Sequence, residues 1–580
     1  MTLLTALLAA APTMAPAPIA IPIPQDVLSV FIESTDNLLK HPKDQALRGA
    51  FDLLGERLLE LPGEMPELSE MPPHLIPMVY EMIGSAKTIR IMDAREASSM
   101  IPVSAMIMLN PGNWDTAVNW MTNIEGLLSQ VGAPVGARDA QGWLPFEGAP
   151  FPLRLGVIEG GALVMSAAEP TVGPLTLLSA TLPNNLAPTF AVSMDMGTAL
   201  EMVMPMLEMA EPQVGSIVND ITSALHLDEF SMEMACGSDG TKSYTSVVLP
   251  GFGAALQDLG ALPTEGLTAE DLRLIPADAT MASVQSFDMN GTFDMVLDLA
   301  EPFLAEVGIE DPVAMLEGFT GVNIKRDLLD HMGTHMGTYF SDSTGGGGLM
   351  SMVMFMEVTD AEKLNAGMLS ISAMLNGVLA SEAEGYIQMR SIVRNGMTCH
   401  TLTFPGLPVP FEPTIVMGEG NLFIGLTPQA ALVAAQMETN SGASLLYNAQ
   451  FASNFDGNYG NLYGVSFFRD DAFMREGYGI TSLLCSGLAN SVRSQINVER
   501  DAGLIMPTFP DLMKDVRPTV SVTRINEAGD LVSTMEGDPS VLVNLTRTVG
   551  YMASNPSAWL GFLPLFAGAV DQNSVVLGNF

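Results

Sequence analysis

The segment Val416–Phe423 reads Val-Met-Gly-Glu-Gly-Asn-Leu-Phe and places two glycines between two short apolar runs. A second segment, Val157–Val164, reads Val-Ile-Glu-Gly-Gly-Ala-Leu-Val and has the same pattern. Glycine reaches the positive φ angles that a tight turn between antiparallel strands needs, so each segment predicts a β-hairpin. Two similar hairpins this far apart in one chain indicate an internal repeat.

Four further pairs of elements occur in the same order around the two hairpins. They are a Pro-x-Asp turn that enters a strand (Pro24–Phe31 and Pro276–Ser283), a helix that ends at a glycine (Gly84, and His331–Met332 leading to Gly333), a strand that leads into a helix (Val103–Met108 and Met352–Glu357), and a later strand (Phe190–Ser193 and Tyr463–Ser466). Asp239-Gly240 and Ala528-Gly529 mark one more pair of hairpins. The order of the matches favours duplication over chance.

The two strands that lead into helices are each followed by a helix-capping pattern. Asn110-Pro111 combines a capping side chain with a proline suited to the first turn. Thr359-Asp360-Ala361-Glu362 has the spacing of a capping box. We therefore expect helices to begin directly after both strands.

The repeat predicts an α+β protein made of two tandem copies of one unit. Hairpins require antiparallel pairing, so each unit should have a mainly antiparallel sheet with helices packed on one face. A doubly wound parallel fold is the alternative. The 580 residues exceed the roughly 250 to 300 at which a single core stops growing. We expect a first unit over residues 22–250, a linker over 251–270 and a second unit over 271–580.

Several of these segments resemble a known family. They are Ile275–Ala279, Asp327–Asp330, Glu357–Lys363 and Leu422–Pro428, and the likeness is clearer in the second half of the chain than in the first. Together they resemble an uncharacterised family of secreted bacterial proteins, of the domain-of-unknown-function 3352 type. The resemblance implies a tandem α+β repeat and export, and it carries no activity, cofactor or site residue.

The composition narrows the possible partners. Hydrophobic residues make up 48% of the chain and charged residues 15%, which is typical of a globular protein. The chain has 65 acidic and 24 basic residues, a formal net charge of −41. Nucleic acid is therefore excluded as a partner, because binding it depends on neutralising phosphates with basic side chains. Anionic membrane surfaces are disfavoured for the same reason.

The N-terminus predicts export to the periplasm or the exterior. Met1–Ala11 is a short apolar run, and residues 1–21 have the pattern of a signal peptide or leader, although no basic residue precedes Lys40. No later segment has the roughly 18 apolar residues of a membrane helix, since Pro564 interrupts the apolar run Ala558–Val570. Only three cysteines are present, Cys236, Cys399 and Cys485, so at most one disulfide can form.

Motifs that could carry chemistry are weak. His331 and His335 have the i, i+4 spacing of a zinc pair on a helix, but Gly333 lies between them at the predicted helix end. Gly237–Ser243 lacks the Gly-Lys of a phosphate-binding loop and predicts a hairpin turn. Ser482–Gly487 lacks the strand-turn-helix context of a nucleophile elbow. The acidic pairs Asp470-Asp471 and Glu382–Glu384 are interpreted as solvated faces.

Methionine is unusually frequent, with 41 residues. Met232, Met234 and Cys236 alternate along one predicted strand, Met350, Met352, Met354 and Met356 along another, and Met194, Met196, Met202, Met204, Met206 and Met209 occupy a third region. Alternation places side chains on one side of a strand. Core filling is the simplest interpretation, a Met-lined groove for an apolar ligand is the second, and soft-metal binding through thioether sulfur is the third.

The sequence predicts no catalytic, cofactor-binding or metal-binding residue. We therefore expect an exported, non-catalytic protein that presents a binding surface to an envelope partner or an apolar ligand. An enzyme whose site assembles from distant residues is the alternative, because one sequence does not reveal a spatial triad. Methionine-based metal binding is the third hypothesis.

Overall fold

The computed structural model describes residues 26–64, 75–93, 103–130, 132–147, 153–158, 161–166, 182–210, 222, 230–306, 311–346, 348–382, 385–439, 443–494 and 497–554. The predicted leader and the apolar run Ala558–Val570 lie outside these residues. Among the described residues, no helix has both the length and the hydropathy to span a membrane.

The strands are β1 (Asp26–Ile32), β2 (Ala86–Asp93), β3 (Val103–Asn110), β4 (Leu144–Pro145), β5 (Arg154–Ile158), β6 (Ala162–Ser166), β7 (Phe190–Asp195), β8 (Ser231–Ser238), β9 (Ser243–Leu249), β10 (Ala279–Ser286), β11 (Met332–Ser341), β12 (Met352–Val358), β13 (Gln388–Arg394), β14 (Met397–Thr403), β15 (Thr414–Met417), β16 (Asn421–Gly425), β17 (Leu462–Phe468), β18 (Thr519–Ile525) and β19 (Leu531–Gly537).

The helices are α1 (Thr35–Leu38), α2 (Gln45–Glu64), α3 (Leu75–Gly84), α4 (Trp114–Gln130), α5 (Met196–Ala210), α6 (Phe252–Asp258), α7 (Ala269–Arg273), α8 (Met289–Glu306), α9 (Pro312–Thr320), α10 (Ile324–Asp327), α11 (Asp342–Gly345), α12 (Ala361–Glu382), α13 (Pro428–Thr439), α14 (Ala449–Ala452), α15 (Asp470–Val492), α16 (Phe509–Met513) and α17 (Val541–Ser554). Short 3-10 turns cover Pro42–Asp44, Pro183–Asn185, Leu329–His331, Leu349–Ser351 and Leu445–Tyr447.

The described strands form one 19-stranded antiparallel sheet. Their pairing gives the order β4-β5-β6-β3-β2-β1-β7-β8-β9-β19-β18-β17-β10-β11-β12-β16-β15-β14-β13. The predicted α+β class and antiparallel sheet are confirmed. The two halves join through β9 and β19, so they share one sheet.

The strand order within the two halves corresponds. The first half runs β6-β3-β2-β1-β7-β8-β9, and the second runs β16-β12-β11-β10-β17-β18-β19. The central strands β1 and β10 also carry a register shift at matching places, between Asp26 and Leu28 and between Ala279 and Met281. The duplication itself stays a prediction, which this order supports.

Helix starts differ from the predicted caps. At α4 the carboxamide oxygen of Asn113 accepts from Thr116 N at 2.8 Å, whereas Asn110 bonds only to Gly112 N in the preceding turn. At α12 the carboxylate of Asp360, not the hydroxyl of Thr359, caps Lys363 N at 3.1 Å. Both helices exist, but each cap is closer to the helix than predicted.

Helices cover both faces of the sheet at β16 rather than only one. Leu422 packs with Leu364 of α12, whereas Phe423 packs with Ala430 and Ala434 of α13. Successive strand residues point to opposite faces, so α12 and α13 lie on opposite sides of the sheet. An apolar residue at each of two successive positions is the physical reason for this.

Helices from the two halves of the chain pack together in one buried cluster. Leu47 and Ala50 of α2 share a buried cluster with Met474 of α15 and Leu542 of α17. The segment predicted as a linker is packed as well, because α6 lies in it and Leu267 is only 1% exposed. The predicted domain boundaries stay a prediction.

Candidate functional site

A row of apolar side chains crosses eight strands of the first half on one face of the sheet. Each residue is the cross-strand partner of the next. We call this set the apolar row: Leu155, Met165, Ile107, Ile89, Val30, Val192, Met234 and Val247. Neighbouring strands are about 4.8 Å apart, so the row is roughly 35 Å long.

Part of the apolar row is less covered than the opposite face of the sheet, although Leu155 at its end is buried. Ile89, Ile107 and Met165 are each 36% exposed although they are large and apolar. On the other face Met106, Val164 and Ala191 are fully buried. Three exposed, mutually paired apolar side chains form a contiguous patch, which is a recognised sign of a binding surface.

An apolar cavity opens beside this exposed part of the row. Its volume is about 140 Å³. Every lining side chain is apolar: Met82, Ile107, Leu109, Ile124, Phe146, Leu155, Leu163 and Met165. The cavity therefore offers space to an apolar group and no hydrogen-bonding side chain to a polar one.

Helices α3 and α4 hold the wall of this cavity. Met82 comes from α3 and Ile124 from α4, and the indole nitrogen of Trp120 donates to Glu81 Oε2 at 3.1 Å, which ties the two helices together. Trp120 is itself buried against the strands. The wall is thus fixed by packing on both sides.

The row becomes polar where it enters the second half. Val247 is followed by Ser533, Thr523, Gly464 and Gln285 in the same cross-strand register. Hydroxyl groups there bond to one another, as Ser283 Oγ does to Ser466 Oγ at 3.0 Å. The face is therefore apolar on one half and hydroxyl-rich on the other.

The methionines predicted to alternate do share faces. Met232, Met234 and Cys236 project on the side of the apolar row, and Met194 pairs with Met232. Met352, Met354 and Met356 follow one another on one face of β12. The prediction is wrong for Met350, which lies in the 3-10 turn before the strand. The side chains of Met206 and Met209 lie outside those the structure describes, and methionine-based metal binding stays a prediction.

His331 and His335 do not share a helix. His331 ends a 3-10 turn, and His335 lies in strand β11, so the i, i+4 spacing does not bring them to one helix face. No group of three His, Cys, Asp or Glu residues able to hold a metal ion occurs among the described residues. Gly333 is not a helix cap either, because it lies in strand β11. The carboxylate of Glu357 packs where a Cβ at this position would be, which explains the glycine.

His335 instead belongs to a cluster that the sequence did not indicate. A register shift in β11 between Met332 and Met336 turns His335 toward α7. There its Nδ1 lies 2.8 Å from Asp271 Oδ1 and 3.7 Å from Glu357 Oε2. The Asp271 carboxylate raises the pKa of His335. Burial alone would raise the pKa of Asp271, but hydrogen bonds from His335 and Thr268 outweigh it and lower that pKa.

A second hydrogen-bonded histidine joins α12 to the sheet. His400 is fully buried; its Nδ1 lies 2.8 Å from Ser391 Oγ and its Nε2 lies 3.0 Å from Asn365 Oδ1. Burial lowers the pKa of His400, so the ring is neutral at pH 7. If the Asn365 oxygen accepts from Nε2–H, Nδ1 must accept from the Ser391 hydroxyl.

Two of the weak motifs in the sequence have structural roles, as expected. Gly237–Ser243 forms the β8–β9 turn, where Asp239 accepts from Thr241 N and Lys242 N. Although burial opposes the shift, these bonds lower the pKa of Asp239 to about 2. Ser482–Gly487 lies inside α15, where Ser486 Oγ donates to the carbonyl of Ser482. The predicted hairpin turn at Gly237–Ser243 is confirmed, and the helical Ser482–Gly487 lacks the strand-turn-helix geometry of a nucleophile elbow.

The interpretation of Asp470-Asp471 as a solvated pair is wrong for Asp470. Its side chain is 1% exposed, accepts from Thr519 Oγ1 at 3.1 Å and pairs with Arg547 at 3.2 Å. Asp471 instead pairs with Arg469 at 3.1 Å near the surface. The side chains of the other acidic pair, Glu382 and Glu384, lie outside those the structure describes.

All three cysteines are free thiols. Cys399 and Cys485 lie in different buried clusters, so the chain does not bring them together. Burial raises the pKa of each of these thiols. Neither has the lowered pKa of a reactive cysteine.

No family model, no curated protein and no solved structure matches this chain. The resemblance to the secreted bacterial family therefore stays a prediction from the sequence.

Proposed function

We propose that this protein is an exported, non-catalytic binding protein that holds the acyl chain of an uncharged or zwitterionic lipid against the apolar row. The observation that carries the proposal is the exposed patch Ile89, Ile107 and Met165 beside a wholly apolar cavity. Burying apolar area of a ligand there contributes about 25 cal/mol for each Å² removed from water.

The size of the cavity favours part of a chain over a whole molecule. At about 140 Å³ it compares with an apolar cavity of about 150 Å³ that accepts a benzene-sized group. A long acyl chain would place its end in the cavity and its remaining length along the row. The half-buried residues Val30, Val192 and Met234 extend the row in that direction.

Charge favours a lipid without net negative charge. The chain's formal net charge of −41 repels an anionic head group over a distance of about a Debye length, roughly 8 Å. The hydroxyl-rich continuation of the row, with Ser533 and Thr523, supplies groups that bond to an uncharged polar head. Both features support the same class of ligand.

Replacing Ile107 with aspartate should weaken binding of a fluorescent monoacylglycerol by roughly tenfold or more, because a carboxylate then faces the acyl chain. Ile107 belongs to both the row and the cavity lining, and its exposure lets the new charge stay hydrated in the free protein. Fluorescence titration of the full chain measures the effect, with native mass spectrometry to count bound lipid.

Val498→Asp is the matched control, because Val498 is 84% exposed and belongs neither to the apolar row nor to the cavity lining. It should bind the probe as the unsubstituted protein does. A wild-type protein that does not bind the probe, or two aspartate variants that bind equally well, would contradict the proposal.

An enzyme is the second candidate, and the bonded series Ser391, His400 and Asn365 is what favours it. A hydroxyl, a neutral imidazole and an orienting amide are the groups of a nucleophilic site. Ester hydrolysis that is lost in Ser391→Ala, without loss of folding, would support this candidate over the first.

A further inference from the structure

Strand β13 forms one end of the sheet and pairs only with β14 in the described chain. The opposite end is β4, which has two residues. Natural sheets keep their edge strands short or covered, because unpaired backbone groups recruit other chains. The seven residues of β13 are an exception to that pattern.

Hydrogen bonds show which backbone groups of β13 face outward. Asn376 of α12 bonds to both the amide and the carbonyl of Met389, each at 2.7 Å, so both groups point away from β14. Outward and inward groups alternate along an antiparallel strand. Ser391 and Val393 therefore also direct their amides and carbonyls outward, and no partner for them occurs in the described chain.

The surroundings of these groups are exposed and basic. Ile392 is 41% and Val393 69% exposed, although both are apolar. Residues 388–403 contain Arg390 and Arg394 and no aspartate or glutamate, in a chain with 65 acidic residues. Arg390 bonds to Gln388 Oε1, and in the described chain neither arginine pairs with a carboxylate.

We propose that β13 binds an extended acidic segment of another protein, which adds a strand to the sheet at Ser391 and Val393. Backbone bonds would supply affinity, the exposed Ile392 and Val393 would contact apolar side chains, and Arg390 and Arg394 would select acidic ones. A second copy of this chain is disfavoured, because pairing β13 with itself brings arginines of both copies together. The site lies at the opposite end of the sheet from the lipid cavity and does not depend on it.

The probe is a synthetic peptide of alternating glutamate and valine, titrated into the full-length protein by isothermal calorimetry at about 0.15 M salt, where the net charge of −41 is screened beyond about 8 Å and contacts with the local arginines decide the binding. It should bind, and a lysine–valine peptide of the same length should not. Added salt should weaken the binding, because the arginines are exposed.

Val393→Pro tests the backbone contact directly. It removes an outward amide and leaves the bonds between β13 and β14 in place, so the fold should persist. Loss of one hydrogen bond should weaken peptide binding about fivefold to tenfold. Val393→Ala, which keeps the amide, is the control and should bind within about twofold of wild type.

Arg390→Glu combined with Arg394→Glu tests the charge contact without touching the backbone. This variant should lose the glutamate–valine peptide and gain the lysine–valine peptide. Equal binding of both peptides by the wild-type protein, or full binding by Val393→Pro, would overturn the proposal. A dimer in sedimentation that Val393→Pro abolishes would also overturn it, in favour of self-association.

Discussion

Replacing Asp44 with alanine should lower the free energy of unfolding by about 3–5 kcal/mol. Asp44 belongs to the first half of the chain, yet its buried carboxylate accepts three hydrogen bonds at the start of α17 in the second half. The donors are Ser540 Oγ at 2.8 Å, Val541 N at 2.9 Å and Leu542 N at 3.0 Å. Alanine would leave all three donors without this acceptor, and two of them, from Ser540 and Leu542, belong to fully buried residues.

The helix itself adds to this effect. The N-terminal amides of a helix carry partial positive charge, which a carboxylate at that end stabilises. Asp44→Asn keeps one oxygen acceptor and loses the charge. We therefore expect its free energy of unfolding to lie between those of wild type and Asp44→Ala. Urea-induced unfolding followed by circular dichroism measures all three proteins.

Asp36→Ala is the matched control for Asp44→Ala. Asp36 is exposed and pairs with Arg48 at 2.9 Å, and a surface ion pair contributes at most about 1 kcal/mol. A loss in Asp44→Ala no larger than that in Asp36→Ala would show that α17 does not depend on the first half for its cap.

The sequence predicted the local elements of the fold better than their assembly. Gly161 lies between the paired strands β5 and β6, and Gly418 and Gly420 lie between β15 and β16, because turn geometry is set by a few adjacent residues. The pairing of β9 with β19 had no signal, since it joins residues almost 300 positions apart. The sequence also contained no signal that Asp44 caps α17, because a capping carboxylate from a distant segment leaves no local pattern.

For the candidate site too, the sequence predicted local features but not which surfaces are exposed. Alternating methionines such as Met232 and Met234 correctly indicated one face of a strand, yet nothing in the sequence told a covered face from an exposed one. Exposure depends on which helices pack over a strand, and those contacts join residues far apart in the sequence, as Trp120 and Leu163 are. Nothing in the sequence indicated the cluster around His335, because its partners Asp271 and Glu357 lie on other elements, far from it along the chain.

The free energy of unfolding should decrease as the pH rises from about 4 to 6, because the buried Asp470 has a raised pKa. Burial is the main cause that raises its pKa from 3.8 to about 6, and Arg547 and Thr519 only partly oppose it. The folded state therefore holds a proton that the unfolded state releases across this range. The stability linked to Asp470 is complete below about pH 4 and is lost as the pH passes 6, a change of about 3 kcal/mol.

Asp470→Asn isolates this contribution from the other titrating groups. An amide oxygen still accepts from Thr519 and Arg547 and carries no charge to bury. The unfolding free energy of the variant relative to wild type should rise by about 3 kcal/mol between pH 4 and pH 7. Urea unfolding at a series of pH values measures the difference.

Asp471→Asn is the control at the neighbouring position, where the side chain is 26% exposed and pairs with Arg469. The unfolding free energy of Asp471→Asn relative to wild type should not rise with pH as that of Asp470→Asn does. The unfolding free energy of Asp470→Asn relative to wild type could instead stay constant across this pH range. In that case the ion pair with Arg547 would offset the whole cost of burying the carboxylate. The contact between α15 and α17 would then rest on a net favourable buried charge pair, which is uncommon because desolvation usually exceeds the attraction.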